Sequence, residues 1–441
     1  MPRSEILTLS PDQDWQESTR ELETSPGHRS RLSLLLGGSL IMLIGSGLVS
    51  LINFGFNVAM ARMLGPADFA DVTVAVTLLM LFSAVTLSFQ LVGAKFVALN
   101  KGAAAKSAVY HRLMRRAWMV SLPLGIALAL FSSPISSYLR FADPWLIVVL
   151  ATGIAFYMPL GVKRGAMQGL CQFGRLSANS LVEAAIRAAA AACLVALGYG
   201  VAGAIGAIST SVFVAFFFPV QLSKARDASA QSVSCVQASF GEGMQMIVFF
   251  VGQVVINNID IILVKHFFAA SEAGMYAAVA LVGRALYYVA WSVVSAMFPI
   301  SAAATSEEHR AHVLGLPLLV IFGICALAIF ALGLFPGPIV HLIFGSGFRQ
   351  AEPLLWLYAA TTGLYALSVV MMAYEMSRKI ANTGWLQLLI SGITIVGITL
   401  FHHSLHQVII VQMVLMTVLL ALVAVPFIRT PEKPATWKRA A

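Results

Sequence analysis

Twelve apolar stretches, most close to the ~20 residues needed to cross the hydrocarbon layer of a bilayer, dominate this chain. The first set covers residues 31–61, 69–92, 117–132, 145–162, 177–199 and 201–222. The second covers 241–266, 273–300, 313–335, 354–374, 384–401 and 407–428. Only helices and closed barrels satisfy their backbone groups in lipid. Barrel strands would alternate apolar and polar residues over ~10 positions, and these stretches do not. The expected fold is therefore an all-α polytopic membrane protein. Composition agrees: 11% of the residues are charged and 59% hydrophobic, which excludes a soluble globular domain or a disordered chain.

The basic residues give an orientation. Of the 28 Lys and Arg, 22 fall in segments on one side of the twelve spans. The other side holds only Arg62, Arg140, Lys265 and Arg349, and two cations, Arg187 and Arg284, lie within spans. Cytoplasmic loops collect Lys and Arg, so both termini are expected in the cytoplasm. The net charge of +9 then reads as topology, with no nucleic acid as partner. Trp118, Trp145, Trp356 and Trp385 sit near span starts, where an aromatic belt belongs. The richest basic segment, a loop from Lys95 to Arg116 with six cations, serves inside retention or binds anionic lipid or a diphosphate headgroup at the cytoplasmic mouth.

Residues 1–31 are polar, with six acids and four arginines. They lack the apolar core of a signal peptide and read as a disordered cytoplasmic tail. The outer loops are short, the longest being 336–353, so no catalytic domain is expected outside the membrane. Cys171, Cys193, Cys235 and Cys325 lack metal-ligand spacing, and no disulfide is expected. No phosphate-binding loop, HExxH or GxSxG occurs. The expectation is a non-enzyme without cofactor or metal, driven by an ion gradient, the membrane potential or the gradient of its own substrate.

The chain also contains itself twice. Asn57, Arg62 and Leu64, followed by Asp68-Phe69-Ala70, align with Asp260, Lys265 and Phe267, followed by Glu272-Ala273-Gly274. Pro134-Ile135 and Asp143-Pro144-Trp145 align with Pro338-Ile339 and Glu352-Pro353-Leu354-Leu355-Trp356. Each unit has six spans, so both insert the same way up, as parallel repeats do. The division expected is a tail (1–31), an N-lobe (32–222), a cytoplasmic linker (223–240), a C-lobe (241–428) and a C-terminal tail (429–441). Two equivalent lobes about a central cavity suit alternating access.

Ionisable residues inside a membrane cost at least ~2.5–3.5 kcal/mol at the bilayer centre and are kept for a partner, a cavity or a substrate. Arg284, Tyr287, Tyr288 and Trp291 share one face of the eighth span. A cation followed by aromatics suits a phosphorylated sugar, through bidentate bonds to phosphate and stacking on the sugar ring. The alternative is packing aromatics and an arginine that snorkels. Glu242, Gln245, Gln253, Asn257 and Asp260 share a face of the seventh span, and Ser46, Ser50, Asn53 and Asn57 a face of the first. Both stripes look into the central space or bond neighbouring helices. Glu242 and Asp260 lie near opposite ends, where water could reach them. Glu183 and Arg187, four residues apart, form an intrahelical ion pair that neutralises both, or a proton- or substrate-sensitive one.

The segment Ala61-Arg62-Met63-Leu64-Gly65-Pro66-Ala67-Asp68-Phe69 resembles the opening of Wzx-like polysaccharide and O-antigen flippases of the multidrug/oligosaccharidyl-lipid/polysaccharide exporter superfamily. Asn258-Ile259-Asp260-Ile261-Ile262-Leu263-Val264-Lys265, followed by Ala273-Gly274-Met275-Tyr276, is similar too, as is Ala166-Met167-Gln168-Gly169-Leu170 with Arg175. The resemblance covers about 33–428. It implies movement of an undecaprenyl-diphosphate-linked oligosaccharide across the bacterial inner membrane, for exopolysaccharide, O-antigen lipopolysaccharide or capsule. It also implies two six-helix lobes, a cavity arginine at Arg284, and membrane lipids, a polysaccharide polymerase and export machinery as partners. Two positions depart from the pattern: Ala70 replaces a usual glycine and Asp71 an apolar residue. The first span lacks the carboxylate of drug exporters in this superfamily, which disfavours an ion-coupled multidrug exporter. The short outer loops disfavour a membrane glycosyltransferase or polymerase.

Overall fold

The computed structural model describes residues 26–100, 102–221, 240–303, 307–378 and 383–429. Among them there are helices and turns and no strand. Helix α1 (Pro26–Leu99) folds back on itself at Gly65, whose φ of 75° favours a residue without a Cβ. Pro66 then opens the returning arm, where its missing N–H costs nothing. The two arms are the first two spans. They are followed by α2 (Ala103–Leu130), the short α3 (Ser132–Leu139), α4 (Trp145–Gly169) and α5 (Phe173–Leu194). A π-turn at Val195–Tyr199 leads into α6 (Gly200–Phe217), which completes the N-lobe.

The C-lobe repeats the plan. Its first span is broken at Asn257-Asn258 into α7 (Phe240–Ile256) and α8 (Ile259–Phe267). Then come α9 (Ala270–Ala303), α10 (Glu307–Leu334) and the short α11 (Pro336–Ile343). A 3₁₀ segment (Ser346–Leu354) leads into α12 (Leu355–Arg378), α13 (Thr383–Leu400) and α14 (Leu405–Arg429). Nine described helical stretches are long and apolar enough to cross a membrane; two of these hold two crossings each, and the shorter apolar stretch Gly384–Leu400 supplies another. The result is twelve spans in two six-helix lobes. The duplication shows in the lengths: α2 and α10 are both 28 residues, and α3 and α11 both eight.

Several expectations need correction. The third and fourth spans are longer than 117–132 and 145–162. Lys106, Arg112, Arg115 and Arg116 lie on α2 and Lys95 on α1, so five of the six cations stand on helices rather than in a loop; Lys101 lies outside the described residues. Lys163 and Arg164 lie within α4. The 336–353 loop is mostly helical. The helix of the first span begins at Pro26, inside the expected tail; residues 1–25, the linker at 222–239 and the tail at 430–441 fall outside the described residues.

α4 is extended by a ridge of small residues. Gly161, Gly165 and Gly169 recur every four positions, and the returning arm of α1 lies directly on them. A Cβ on these glycines would meet Thr86 O at 2.6 Å, Gln90 O at 2.3 Å and Ala94 O at 2.5 Å respectively. Lipid gives helices no hydrophobic reason to associate, so close backbone approach supplies the attraction.

One end of the molecule is sealed. The largest buried apolar cluster runs through both lobes there, with Phe69, Leu139 and Ile147 from one and Val264, Tyr276 and Phe348 from the other. Toward the opposite end the buried apolar residues fall into separate clusters. One is confined to the N-lobe around Tyr110, Leu113 and Met158, the other to the C-lobe around Tyr365, Met372 and Leu419. The lobes thus share a core at one end only.

Gly165→Val should force α1 and α4 apart at a cost of about 1–3 kcal/mol, lowering the melting temperature of the purified protein followed by size-exclusion chromatography. Gly47→Ala, with open space around it, should melt with the parent.

Candidate functional site

Among the described residues, three arginines lie inside the helical bundle, and their partners define the site. In the N-lobe, Glu183 on α5 is buried and holds two of them. Its Oε2 accepts from Arg164 of α4 at 2.5 Å, and its Oε1 pairs with Arg187 one turn along α5. Arg164 also donates to Asn179 Oδ1 at 2.8 Å, and Asn179 donates to the Ala215 carbonyl at 2.7 Å. Arg187 donates to Asn53 Oδ1 on the first span at 3.1 Å, while its Nε is buried without a partner. The Glu183–Arg187 pair is therefore not neutral: a second arginine makes it a triad with one net positive charge. The short estimate of the fourth span left Arg164 among cytoplasmic cations. The Gly161, Gly165, Gly169 spacing is the sequence signal that carries the helix past it.

In the C-lobe, Arg284 stands on α9 where the broken first span comes closest. The last carbonyls of a helix lack intrahelical partners, and the break after Ile256 leaves the Asn257 carbonyl to accept from Arg284 at 3.2 Å. The Nε of Arg284 is buried without a partner. Among the described residues no carboxylate lies within ion-pair distance of it. Asn257 Nδ2 donates to the Gln253 carbonyl at 2.8 Å, as Asn57 does to Asn53 at the same distance in the other lobe. Gln253 is buried, next to the hydroxyls of Tyr287 and Tyr365.

The aromatic face of α9 divides. Tyr287 stacks on Tyr365 at 5.8 Å, and Trp291 packs edge-on against Phe250 at 6.2 Å. Both belong to the rim of the C-lobe core. Tyr288 is 46% exposed. Tyr157 of the N-lobe lies within electrostatic range of Glu183, Arg164, Arg187 and Tyr288.

Asp260 departs from expectation. The break at Asn257-Asn258 takes it off the face of Gln253 and Asn257, and it is 2% exposed rather than wet. Its Oδ2 accepts from the hydroxyls of Tyr276 (2.8 Å) and Tyr358 (2.9 Å) within the C-lobe, and Gln412 lies 3.2 Å from Tyr276. The side chains of Glu242 and Gln245 lie outside the described residues. Ser46 and Ser50 are exposed, and Ser46 donates to its own helix at Leu43. Cys171, Cys193 and Cys325 are free thiols. Among the described residues no group of His, Cys, Asp and Glu could hold a metal. A separate apolar cavity of about 650 Å³ lies beside the N-lobe at the sealed end, between Leu78, Phe82, Leu128, Ile135 and Ile154, and contains none of these polar residues.

Twelve apolar helical crossings in two six-helix lobes define a multi-pass membrane protein. The comparisons agree. Residues 35–305 match the family described as "Polysaccharide biosynthesis protein", and the chain belongs to that family. Its fold resembles the Lipid II flippase MurJ in an inward closed conformation, with a TM-score of 0.70 and 13% identity over 89% of this chain and 88% of that one. It also resembles an inward-facing multidrug resistance MATE transporter of the MOP superfamily, with a TM-score of 0.65 and 13% identity over 85% and 94% of the two chains. An uncharacterized protein of Mycobacterium tuberculosis is 25% identical over 267 residues, 58% of this chain and 60% of that relative's length. The chain is a multi-pass integral protein of the bacterial inner membrane, with a MOP-type transporter fold.

Removing Glu183 would leave two buried arginines facing each other. Glu183→Leu should destabilise the N-lobe by about 3–5 kcal/mol, seen as a lower melting temperature of the purified protein. Arg164→Leu with Glu183→Leu should recover part of the loss.

Proposed function

We propose that the chain is a flippase carrying an undecaprenyl-diphosphate-linked oligosaccharide from the cytoplasmic to the periplasmic leaflet by alternating access. The observation that carries this reading is a pair of uncompensated cations inside the bundle, one in each lobe. The N-lobe triad contributes one net positive charge, and Arg284, held only by a carbonyl, contributes another. A diphosphate brings about two negative charges and several acceptor oxygens. Guanidinium groups with unpaired N–H donors match it in charge and geometry. Arg284 is assigned as the C-lobe anchor, with Arg187 and Asn53 opposite it. Tyr288 is the aromatic with a face open to a sugar ring, while Tyr287 and Trp291 support it from the core. Gln253 and Asn257 stand at the break beside Arg284, Asn57 lies on the first span of the N-lobe, and Asp260 acts within the C-lobe rather than on cargo.

The basic residues set the orientation. With both termini, the 223–240 segment and the Lys- and Arg-rich helix ends in the cytoplasm, the sealed end faces the periplasm. Membrane lipids surround the lobes, and a polysaccharide polymerase and export machinery would receive the cargo.

The second reading, an ion-coupled drug exporter, draws on the fold shared with the MATE transporter. Such a cavity favours cationic drugs when it offers a carboxylate. Here the central one, Glu183, is held by two arginines, and Asp260 is turned into the C-lobe. The sign of the charge favours an anion.

The test is complementation of a deletion strain, with lipid-linked intermediates and exported polysaccharide measured together. The deletion should accumulate the lipid-linked oligosaccharide. Arg284→Ala, expressed at the parental level, should fail to clear it. Arg284→Lys should restore only part, because a point charge cannot grip a diphosphate bidentately. Tyr288→Ala should reduce export more than Trp291→Phe. Normal export by Arg284→Ala would overturn the assignment. A deletion that alters drug susceptibility without intermediate accumulation would favour the exporter.

A further inference from the structure

Retention of Lys and Arg in the cytoplasm leaves four cations at the sealed end: Arg62, Arg140, Lys265 and Arg349. Three of the four reach across the boundary between the lobes. Lys265 of α8, 2% exposed, pairs with Asp71 on the returning arm of α1. Arg62 donates to the Leu342 carbonyl and, at 2.9 Å, to that of Ile343, the last turn of α11. Arg140 donates to the Phe268 carbonyl at 3.1 Å. Arg349 alone stays in its own lobe, exposed beside Glu352 at 4.0 Å. His266 Nδ1, 2.7 Å from the Tyr138 carbonyl, joins the lobes at the same end.

The repeat adds a second line of support. Arg62 and Lys265 occupy equivalent positions in the two units, so the same device points both ways. The acid is not duplicated, because the position equivalent to Asp71 is Met275. Arg62 therefore bonds carbonyls, while Lys265 has a carboxylate. Asp71, the departure from the usual apolar residue, has its explanation in Lys265. The fit around the pair is close: a Cβ on Gly274 would stand 1.7 Å from the Pro66 carbonyl oxygen.

We propose that Asp71–Lys265, assisted by Arg62, is a charge latch that makes the sealed end bistable. This rests on the alternating-access reading above but not on the identity of the cargo. In the closed state the two charges compensate each other out of water; opening returns both to water. A matched buried pair is close to neutral overall, but one partner left alone is an uncompensated buried charge. For such a lone charge, opening the lobes is the route back to solvent. Single neutralisation should therefore open the seal, and removal of both charges should leave it shut.

Spin labels at Ala67→Cys and Gln350→Cys, exposed residues on opposite lobes, read the seal. The full chain, with its four native cysteines replaced by serine, is placed in lipid nanodiscs without cargo, and the distance between labels is measured by double electron–electron resonance. Asp71→Asn and Lys265→Met should each raise the ratio of long to short distances by at least about tenfold. Asp71→Leu combined with Lys265→Met should return the short distribution. Arg62→Gln, at an exposed position that should not endanger folding, should raise the ratio about two- to tenfold through lost charge-assisted bonds. Arg349→Gln should match the parent. The latch is refuted if the Asp71, Lys265 and Arg62 variants keep the parental distances, or if the double apolar variant opens as far as the single ones. Because no cargo is present, a shift of the seal stands even if complementation shows that the lipid-linked oligosaccharide is not the substrate.

Discussion

Everything in this molecule answers to one constraint: an arginine in a bilayer must find oxygen. Charged groups at the centre of a membrane are costly, and the cost falls only when a partner or water is present. Arg164 meets Asn179 and Glu183. Arg187 meets Glu183 and Asn53, with its Nε left over. Arg284 has a single carbonyl, supplied by a helix broken for two residues beside it. The Nε atoms of Arg187 and Arg284, one in each lobe, are buried without a partner, and that places the interesting chemistry there. The same rule explains the sealed end, where each cation that crosses the boundary lands on a carboxylate or on carbonyls at a helix terminus.

The duplication supplied two similar lobes, and the function reading depends on how they have diverged. α2 and α10 keep their length, as do α3 and α11. The first span is continuous up to Gly65 in the N-lobe but broken at Asn257-Asn258 in the C-lobe. Asn57 stays on its helix and bonds to Asn53, whereas its counterpart Asp260 is carried past the break into a cage of Tyr276 and Tyr358. One lobe thus holds its cations with a carboxylate, and the other with a backbone carbonyl. That difference leaves Arg284 the more available of the two.

Much of this was legible beforehand, for identifiable reasons. Span number and pairing follow from hydropathy and from paired landmarks such as Pro134 and Pro338, because lipid permits so few backbone solutions. The Glu183–Arg187 contact follows from a spacing of four on one helix. What escaped depends on contacts between elements far apart in sequence. Arg164 meets Glu183 only because the glycine ridge of α4 keeps that helix going against α1. Asp71 looked like an unexplained substitution until Lys265, 194 positions away, came to it across the lobe boundary. The break that redirects Asp260 leaves little trace in an apolar run. The stripe on α9 was visible as a stripe, but which of its members face the core is decided by Tyr365 and Phe250, on other helices.

The arrangement also bears on what could drive transport. On the proposed reading the cations remain with the protein and the diphosphate leaves, so the charge that crosses belongs to the cargo. A charge moving through the membrane potential exchanges about 2.3 kcal/mol per 100 mV. A doubly negative headgroup carried outward across an inside-negative membrane therefore gains about 4–5 kcal/mol per 100 mV. That is comparable to the ~5.5 kcal/mol that swings a two-state equilibrium from one extreme to the other. Glu183 is clamped by two arginines, and Asp260 accepts from two tyrosine hydroxyls. On that reading the field across the membrane acts on the cargo itself.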